Sequence, residues 1–338
     1  MHLRQTSPMR PSILAAVAAI AVSAPILSRA AGEGPKLSLP LACTIGQTCE
    51  IQHYVDRDPG PGALDYHCGH RTYEKHGGVD IRILDMAAQR RGVDVLAAAP
   101  GRVARLRDGV PDISVRARGL QAVSGQECGN GVVIDHGDGW ETQYCHMAQG
   151  SLKVRVGDVV KAGTPLGHIG LSGQTEFPHL HVSVRHNGQM VDPFAPNLPL
   201  GACGAKAASM WTPQAAKALV YKAGVIFNSG LAGARVTNDD VENGGIAPPT
   251  SASPVVVAYM RVSEPQQADE LEITLSGPDG KTLATQRLPP LDRDKAQYFA
   301  MVGRKRPAAG WPAGAYVAEF KVWRDGKVAM RKRLETRL

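Results

Sequence analysis

Aromatic residues are scarce in this chain of 338 residues, only 5% of the total. The basic surplus is also small: 38 Lys and Arg against 31 Asp and Glu, with Arg4, Arg10 and Arg29 among the first thirty residues. Together these leave no basis for nucleic-acid binding, which needs a concentrated basic face and stacking side chains. After residue 30 no apolar run is long enough to span a bilayer. No convincing amphipathic helix separates the short β-type runs of the first two hundred residues. Beyond Val255 there is no cluster of His, Cys or carboxylate at ligand spacing. Any chemistry must come from the first three quarters of the chain.

What is there begins with a leader. Arg4 and Arg10, an apolar run from Ile13 to Val22, and small residues around Ser28 and Ala30 have the layout of a secretory signal over residues 1–30. The mature chain is then exported, periplasmic or secreted, with no stable membrane span. Export suits the six cysteines, Cys43, Cys49, Cys68, Cys128, Cys145 and Cys203, as disulfide partners. The stretch NGVVIDHGDGWETQYCH predicts a hairpin turning at HGDG, and counting back from that turn makes a Cys128–Cys145 bridge plausible. The other four cysteines allow three pairings.

Short Val- and Ile-rich runs between Gly, Pro and Asp turns predict a compact antiparallel β sandwich or barrel from about residue 35 to 200. Hairpins of this kind occur in lipoyl and biotinyl carriers, but no lysine sits at a suitable tip. A polar stretch at 237–253 reads as a loop. Alternating strands follow it, with PDG and RDG at two hairpin tips, and predict an immunoglobulin-like β-sandwich. The expected divisions are a signal at 1–30, an extension with Cys43 and Cys49 at 31–63, a β domain at 64–204, and the sandwich at 205–338. The basic excess near the carboxy terminus reads first as a solvated face.

The chemistry-bearing residues lie in three segments. In FPHLHVSV, His179, His181 and Ser183 share one face of a strand, while Leu180, Val182 and Val184 take the other. In HGGVDIRI, His76 and Asp80 fall on one face by even spacing, with Val79, Ile81 and Ile83 opposite. In TQYCHM, Tyr144 and His146 share a face and Cys145 points away, which puts the disulfide behind the sheet. His67 and His70 read as loop residues beside a cystine, His136 as a turn residue, and His53, His168 and His186 as surface residues.

The combination of His76-x-x-x-Asp80, Tyr144-x-His146 and Pro178-His179-Leu180-His181 resembles the signature of the lysostaphin-type (LytM-like, M23) zinc peptidases. The likeness spans roughly residues 66 to 194 and is far more specific than any one of its parts. It implies a mainly β chain, with a lysostaphin-type antiparallel peptidase domain ahead of the sandwich. It also implies one zinc ion held by His76, Asp80 and His181, with a fourth position open to water. His146 and His179 are the implied catalytic residues, which move the water's proton and stabilise the oxyanion or leaving amine. Neither imidazole is assigned to a single step. The substrate implied is a peptide of peptidoglycan, either a cross-link or a stem peptide. The rival reading is a non-catalytic wall-binding or amidase-activating protein on the same fold; such proteins typically lack one or more metal ligands, and this chain keeps all three, which argues against it. One departure from the family pattern is SGQTEFPHLH, where small residues usually precede the histidines; Glu176 and Phe177 there point to a different substrate preference.

Overall fold

The structure, a computed structural model, describes residues 34–204 and 208–338. The expected leader at 1–30 lies outside the described residues. The first part of the chain forms β1 (Cys49–His53), β2 (Val79–Ile83), β3 (Asp94–Leu96), β4 (Gly101–Arg107) and β5 (Asn130–Asp135). It continues with β6 (Trp140–Met147), β7 (Val159–Val160), β8 (Pro165–His168), β9 (His179–His186) and β10 (Gln189–Val191). The main sheet has the order β1-β2-β9-β6-β5-β4-β7, with β10 also on β9, while β3 and β8 pair separately. All of these pairings are antiparallel.

Alternation on β2 and β9 makes this sheet one-sided. Val79, Ile81, Ile83, Leu180, Val182 and Val184 are buried in a common core, which leaves the opposite face of both strands to polar side chains. The β5–β6 turn requires left-handed backbone at Gly137, Asp138 and Gly139 (φ 82°, 51° and 76°). A Cβ at Gly139 would meet Asn187 Oδ1 at 2.0 Å, a side-chain end that can move aside, so it is the positive φ that calls for glycine here.

The same core takes Leu37 and Leu41 from the amino-terminal segment, and Met210, Trp211, Ala215 and Leu219 from beyond Cys203. Leu37 N–H donates to Met210 O and Thr212 N–H to Leu37 O, each at 2.8 Å. This core therefore draws on residues from both sides of 63/64 and of 204/205. Disulfides join Cys43 to Cys49, Cys68 to Cys203 and Cys128 to Cys145.

Short helices α1 (Met86–Arg91), α2 (Val115–Arg118), α3 (Pro213–Ala218) and α4 (Asn238–Asn243) interrupt the strands. The last corrects the reading of 237–253 as loop alone. Thr237 and Asp240 form a capping box there, each side chain accepting from the other's backbone N–H.

The carboxy-terminal part builds two sheets from β11 (Val225–Ala232), β12 (Val255–Ser263), β13 (Glu270–Ser276), β14 (Thr282–Arg287), β15 (Gln297–Lys305), β16 (Ala315–Arg324) and β17 (Lys327–Arg337). One sheet runs β11-β12-β15 and the other β14-β13-β16-β17. Val256, Ala258, Met260 and Val262 on β12 share a core with Leu271, Ile273 and Leu275 on β13 and with Tyr316, Ala318, Phe320 and Val322 on β16. No helix among the described residues is long and apolar enough to cross a membrane.

Candidate metal centre

Register brings the site together. β9 lies between β2 and β6, and His181 stands opposite Asp80 on one side and Cys145 on the other. Cross-strand partners share a face, so one row carries Asp80, His181 and Cys145. His76 enters from the turn ahead of β2. Its Nε2 lies 3.1 Å from Asp80 Oδ1 and 3.2 Å from His181 Nδ1. His181 Nδ1 lies 2.9 Å from the same Oδ1.

The remaining ring nitrogens are tied down from outside. His76 Nδ1 donates to Tyr54 O at 2.6 Å, His146 Nδ1 to Ser172 O at 2.8 Å, and His179 Nδ1 to Phe177 O at 3.0 Å. A carbonyl only accepts, so each of these rings must carry its proton at Nδ1 and keep a lone pair on Nε2. His181 Nε2 has Ser183 Oγ at 3.0 Å as a partner able to accept. Three acceptor atoms some 3 Å apart repel one another unless a proton or a cation lies between them. A tetrahedral zinc site with bonds near 2.0–2.1 Å separates its ligands by about 3.3 Å. The triangle of His76 Nε2, Asp80 Oδ1 and His181 Nδ1 fits that ion, and its outward hydrogen bonds are those a metal-ligating histidine uses.

His179 Nε2 lies 3.5 Å from Asp80 Oδ1, and the His146 ring centroid is 4.7 Å from that of His179. Both rings are therefore beside the triangle. Burial, reinforced by His179 and His181, holds the His146 imidazole well below its ordinary pKa. His181 is lowered as well, chiefly by burial. Burial opposes ionisation of Asp80, but the surrounding His76, His179 and His181 hold its carboxyl well below the usual range.

Two expectations need correction. Tyr144 does not share the face of His146: it is fully buried in the core, where its hydroxyl accepts from Ala98 N–H at 2.7 Å. Cys145 is on the site's face, and the disulfide lines the groove rather than standing behind the sheet. The cause is His146 itself. Its backbone is left-handed (φ 62°) and its N–H donates to Cys128 O at 2.8 Å. Cys145 follows the alternation, opposite His181 and away from the core side of Tyr144; the reversal after it breaks that alternation and brings His146 onto the same site face.

His53, expected on the surface, is the other correction. A bulge at the end of β1 sets it opposite Asp80, and its Nδ1 lies 3.1 Å from Asp80 Oδ2. Burial would lower its pKa, but Asp80 and Glu264 on either side raise it to about 9. His168 is paired with Asp94 at 3.2 Å, and His186 stacks on Trp140.

The groove has two lobes. One, of about 360 Å³, runs past Lys75, Gln143, Ser183, Arg185 and the Cys128–Cys145 disulfide. The other, of about 950 Å³, is flanked on one side by Val115, Glu176 and Phe177 and on the other by Glu264, Lys295, Tyr298 and Phe299 of the sandwich. Both lobes include Tyr73 and His146. The sandwich also meets the sheet through buried charge. Glu242 Oε2 accepts from Arg82 and, at 2.6 Å, from Arg261. The Arg82 guanidinium lies 4.4 Å over the Phe177 ring.

Residues 74–193 match the family model described as Peptidase family M23. This part of the chain is similar to that family. The M23 segment is 30% identical over 125 residues to the cell division protein DipM of Caulobacter vibrioides, covering 37% of this chain and 17% of the relative. It is 33% identical over 133 residues to the DD-carboxypeptidase/endopeptidase Mpg of Neisseria meningitidis, covering 38% of this chain and 24% of the relative. The chain thus spans less than a quarter of the length of these curated relatives. Among solved structures, the catalytic domain of the prophage-encoded M23 protein EnpA from Enterococcus faecalis aligns at 25% identity and a TM-score of 0.30, over 44% of this chain and 92% of that one.

Proposed function

We propose that this protein is an exported zinc-dependent endopeptidase that hydrolyses peptide bonds in peptidoglycan. The observation that carries the reading is the meeting of His76 Nε2, Asp80 Oδ1 and His181 Nδ1 within 3.2 Å of one another, flanked by His146 and His179. When bound there, a zinc ion supplies Lewis acidity to the scissile carbonyl and to the attacking water. His76, Asp80 and His181 hold it. His146 and His179, each donating from Nδ1, present Nε2 lone pairs that take the water's proton and return it to the leaving amine. The two-lobed groove seats an extended peptide across the site.

The substrate class is supported by relatives named as peptidoglycan endopeptidases, including the DD-endopeptidase ShyA of Vibrio cholerae. Three disulfides and no free cysteine support an oxidising compartment. The strand order β11-β12-β15 against β14-β13-β16-β17 supports an immunoglobulin-like sandwich. A wall-binding role without catalysis is disfavoured, because such proteins typically lack a ligand and here all three ligand candidates and both flanking imidazoles are present.

The test is mass spectrometry of purified murein digested with wild type and His181→Ala, each with and without chelator. New amino termini should form with wild type alone and vanish on chelation. Wild type that retains no zinc and cuts nothing would leave the binding role instead.

A further inference from the structure

The metal ligand candidate Asp80 uses its two oxygens differently. Oδ1 faces His76 and His181, whereas Oδ2 lies 3.1 Å from His53 Nδ1. The other nitrogen of His53, Nε2, lies 3.4 Å from Glu264 Oε1. That oxygen also accepts from Gln52 Nε2 at 3.2 Å. Glu264 follows the last residue of β12 in left-handed backbone (φ 54°), an uncommon conformation for a side chain of this size. It turns the carboxylate out of the sandwich and toward β1. The His53 and Glu264 side chains are each only 13% exposed, so water competes little for these contacts.

We infer that Glu264, contributed by the carboxy-terminal sandwich, is a positioning residue for the metal ligand Asp80 and acts through His53. The argument is one of orientation. A carboxylate is free to rotate about its Cβ–Cγ bond, and a single ligating oxygen fixes it poorly. His53 holds Oδ2, so Oδ1 stays aimed at the triangle. His53 in turn pivots about its own bonds unless Nε2 is held, and Glu264 holds it. Outer partners of this kind typically change metal affinity by 10–100-fold when removed. The sandwich is then part of the metal centre as well as one wall of the groove.

The inference rests on the zinc reading above, and the experiment separates the two. Zinc affinity of the full chain is measured by competition with a chromophoric chelator for wild type, Glu264→Ala, Glu264→Gln, His53→Ala and His53→Ala/Glu264→Ala. The cobalt(II) absorption spectrum is recorded for each. Glu264→Ala should bind zinc about tenfold more weakly and shift the cobalt bands, as expected for loss of an outer-shell partner. Glu264→Gln keeps an acceptor oxygen and should stay near wild type, which also guards against misfolding of the alanine variant. Adding Glu264→Ala to His53→Ala should cost nothing more. Wild type that binds no zinc overturns the metal reading itself. Wild type that binds while Glu264→Ala matches it, or losses at 53 and 264 that multiply, overturns the role of Glu264 and leaves the metal reading standing.

Discussion

Glu242→Ala should destabilise the protein far more than a partly exposed carboxylate ordinarily would. Glu242 is 23% exposed, but Arg82 and Arg261, which it joins, are each 1% exposed. Arg261 keeps Asn228 Oδ1 as a partner at 2.6 and 3.0 Å. Arg82 has no other hydrogen-bond partner among the described residues: its Nε and Nη1 are buried without one, and the Phe177 ring is its remaining contact. Burial already pushes the Arg82 guanidinium down to about 10, with Arg261 adding to the effect and Glu242 opposing it. Without Glu242, the two buried guanidinium groups that shared its Oε2 are left facing each other; at a separation of about 5 Å and an effective dielectric of 20 they would repel by roughly 3 kcal/mol. Removing one partner of a buried pair typically costs about 3–5 kcal/mol, and the partial exposure of Glu242 favours the lower end. The expected loss is therefore about 3 kcal/mol, seen as a lower urea midpoint at unchanged slope. Glu242→Ala/Arg261→Met removes the repulsion and should recover at least half of it. A loss below about 1 kcal/mol, or no recovery in the double variant, would refute the claim that this charge cluster fastens the sandwich to the sheet.

Three further outcomes are expected. His146→Ala and His179→Ala should each lower kcat by about 10²–10⁴-fold with zinc still bound stoichiometrically by metal analysis; loss of zinc in either would move that residue into the ligand set. Gly78→Ala should weaken zinc binding in a chelator titration, because a Cβ there would sit 2.6 Å from His181 Nε2 and 2.7 Å from Val182 O; unchanged affinity would show that this turn can give way. In the metal-free protein, His146 and His181 are depressed below 6.5, so their contribution is present above 6.5 and lost as pH falls toward their folded values. His53 is raised from 6.5 to about 9, so its contribution is full below 6.5 and lost as pH rises through 9. The melting temperature without metal should fall on both sides of about pH 6.5, and a curve rising steadily to pH 9 would contradict the placement of His53.

Much of the centre could be read from the sequence because β2 and β9 are regular. Two-residue alternation separates His179, His181 and Ser183 from Leu180, Val182 and Val184 whatever else the chain does. Alternation misled at β6, where nothing in TQYCHM announces the left-handed turn of His146 that the Cys128 carbonyl stabilises. His53 and Glu264 were illegible for a different reason. They are 211 positions apart in sequence and meet only because a bulge in β1 and the end of β12 arrive at the same carboxylate. Helix α4 had a readable start in Thr237 and Asp240, but the surrounding Gly, Pro and Ser masked it. The packing of Leu37 and Trp211 into one core carries no local signal at all.

The seam between sheet and sandwich limits how this metal centre could be borrowed. A cassette cut at 74–193 and spliced to a foreign carrier would leave Arg82 without Glu242 and strip the core of Leu37, Met210 and Trp211. Both His53 and Glu264 would stay behind, and Asp80 Oδ2 would lose its only hydrogen-bond partner among the described residues. Exchange of parts between such proteins, by recombination or at the bench, would have to move the sandwich together with the sheet it steadies.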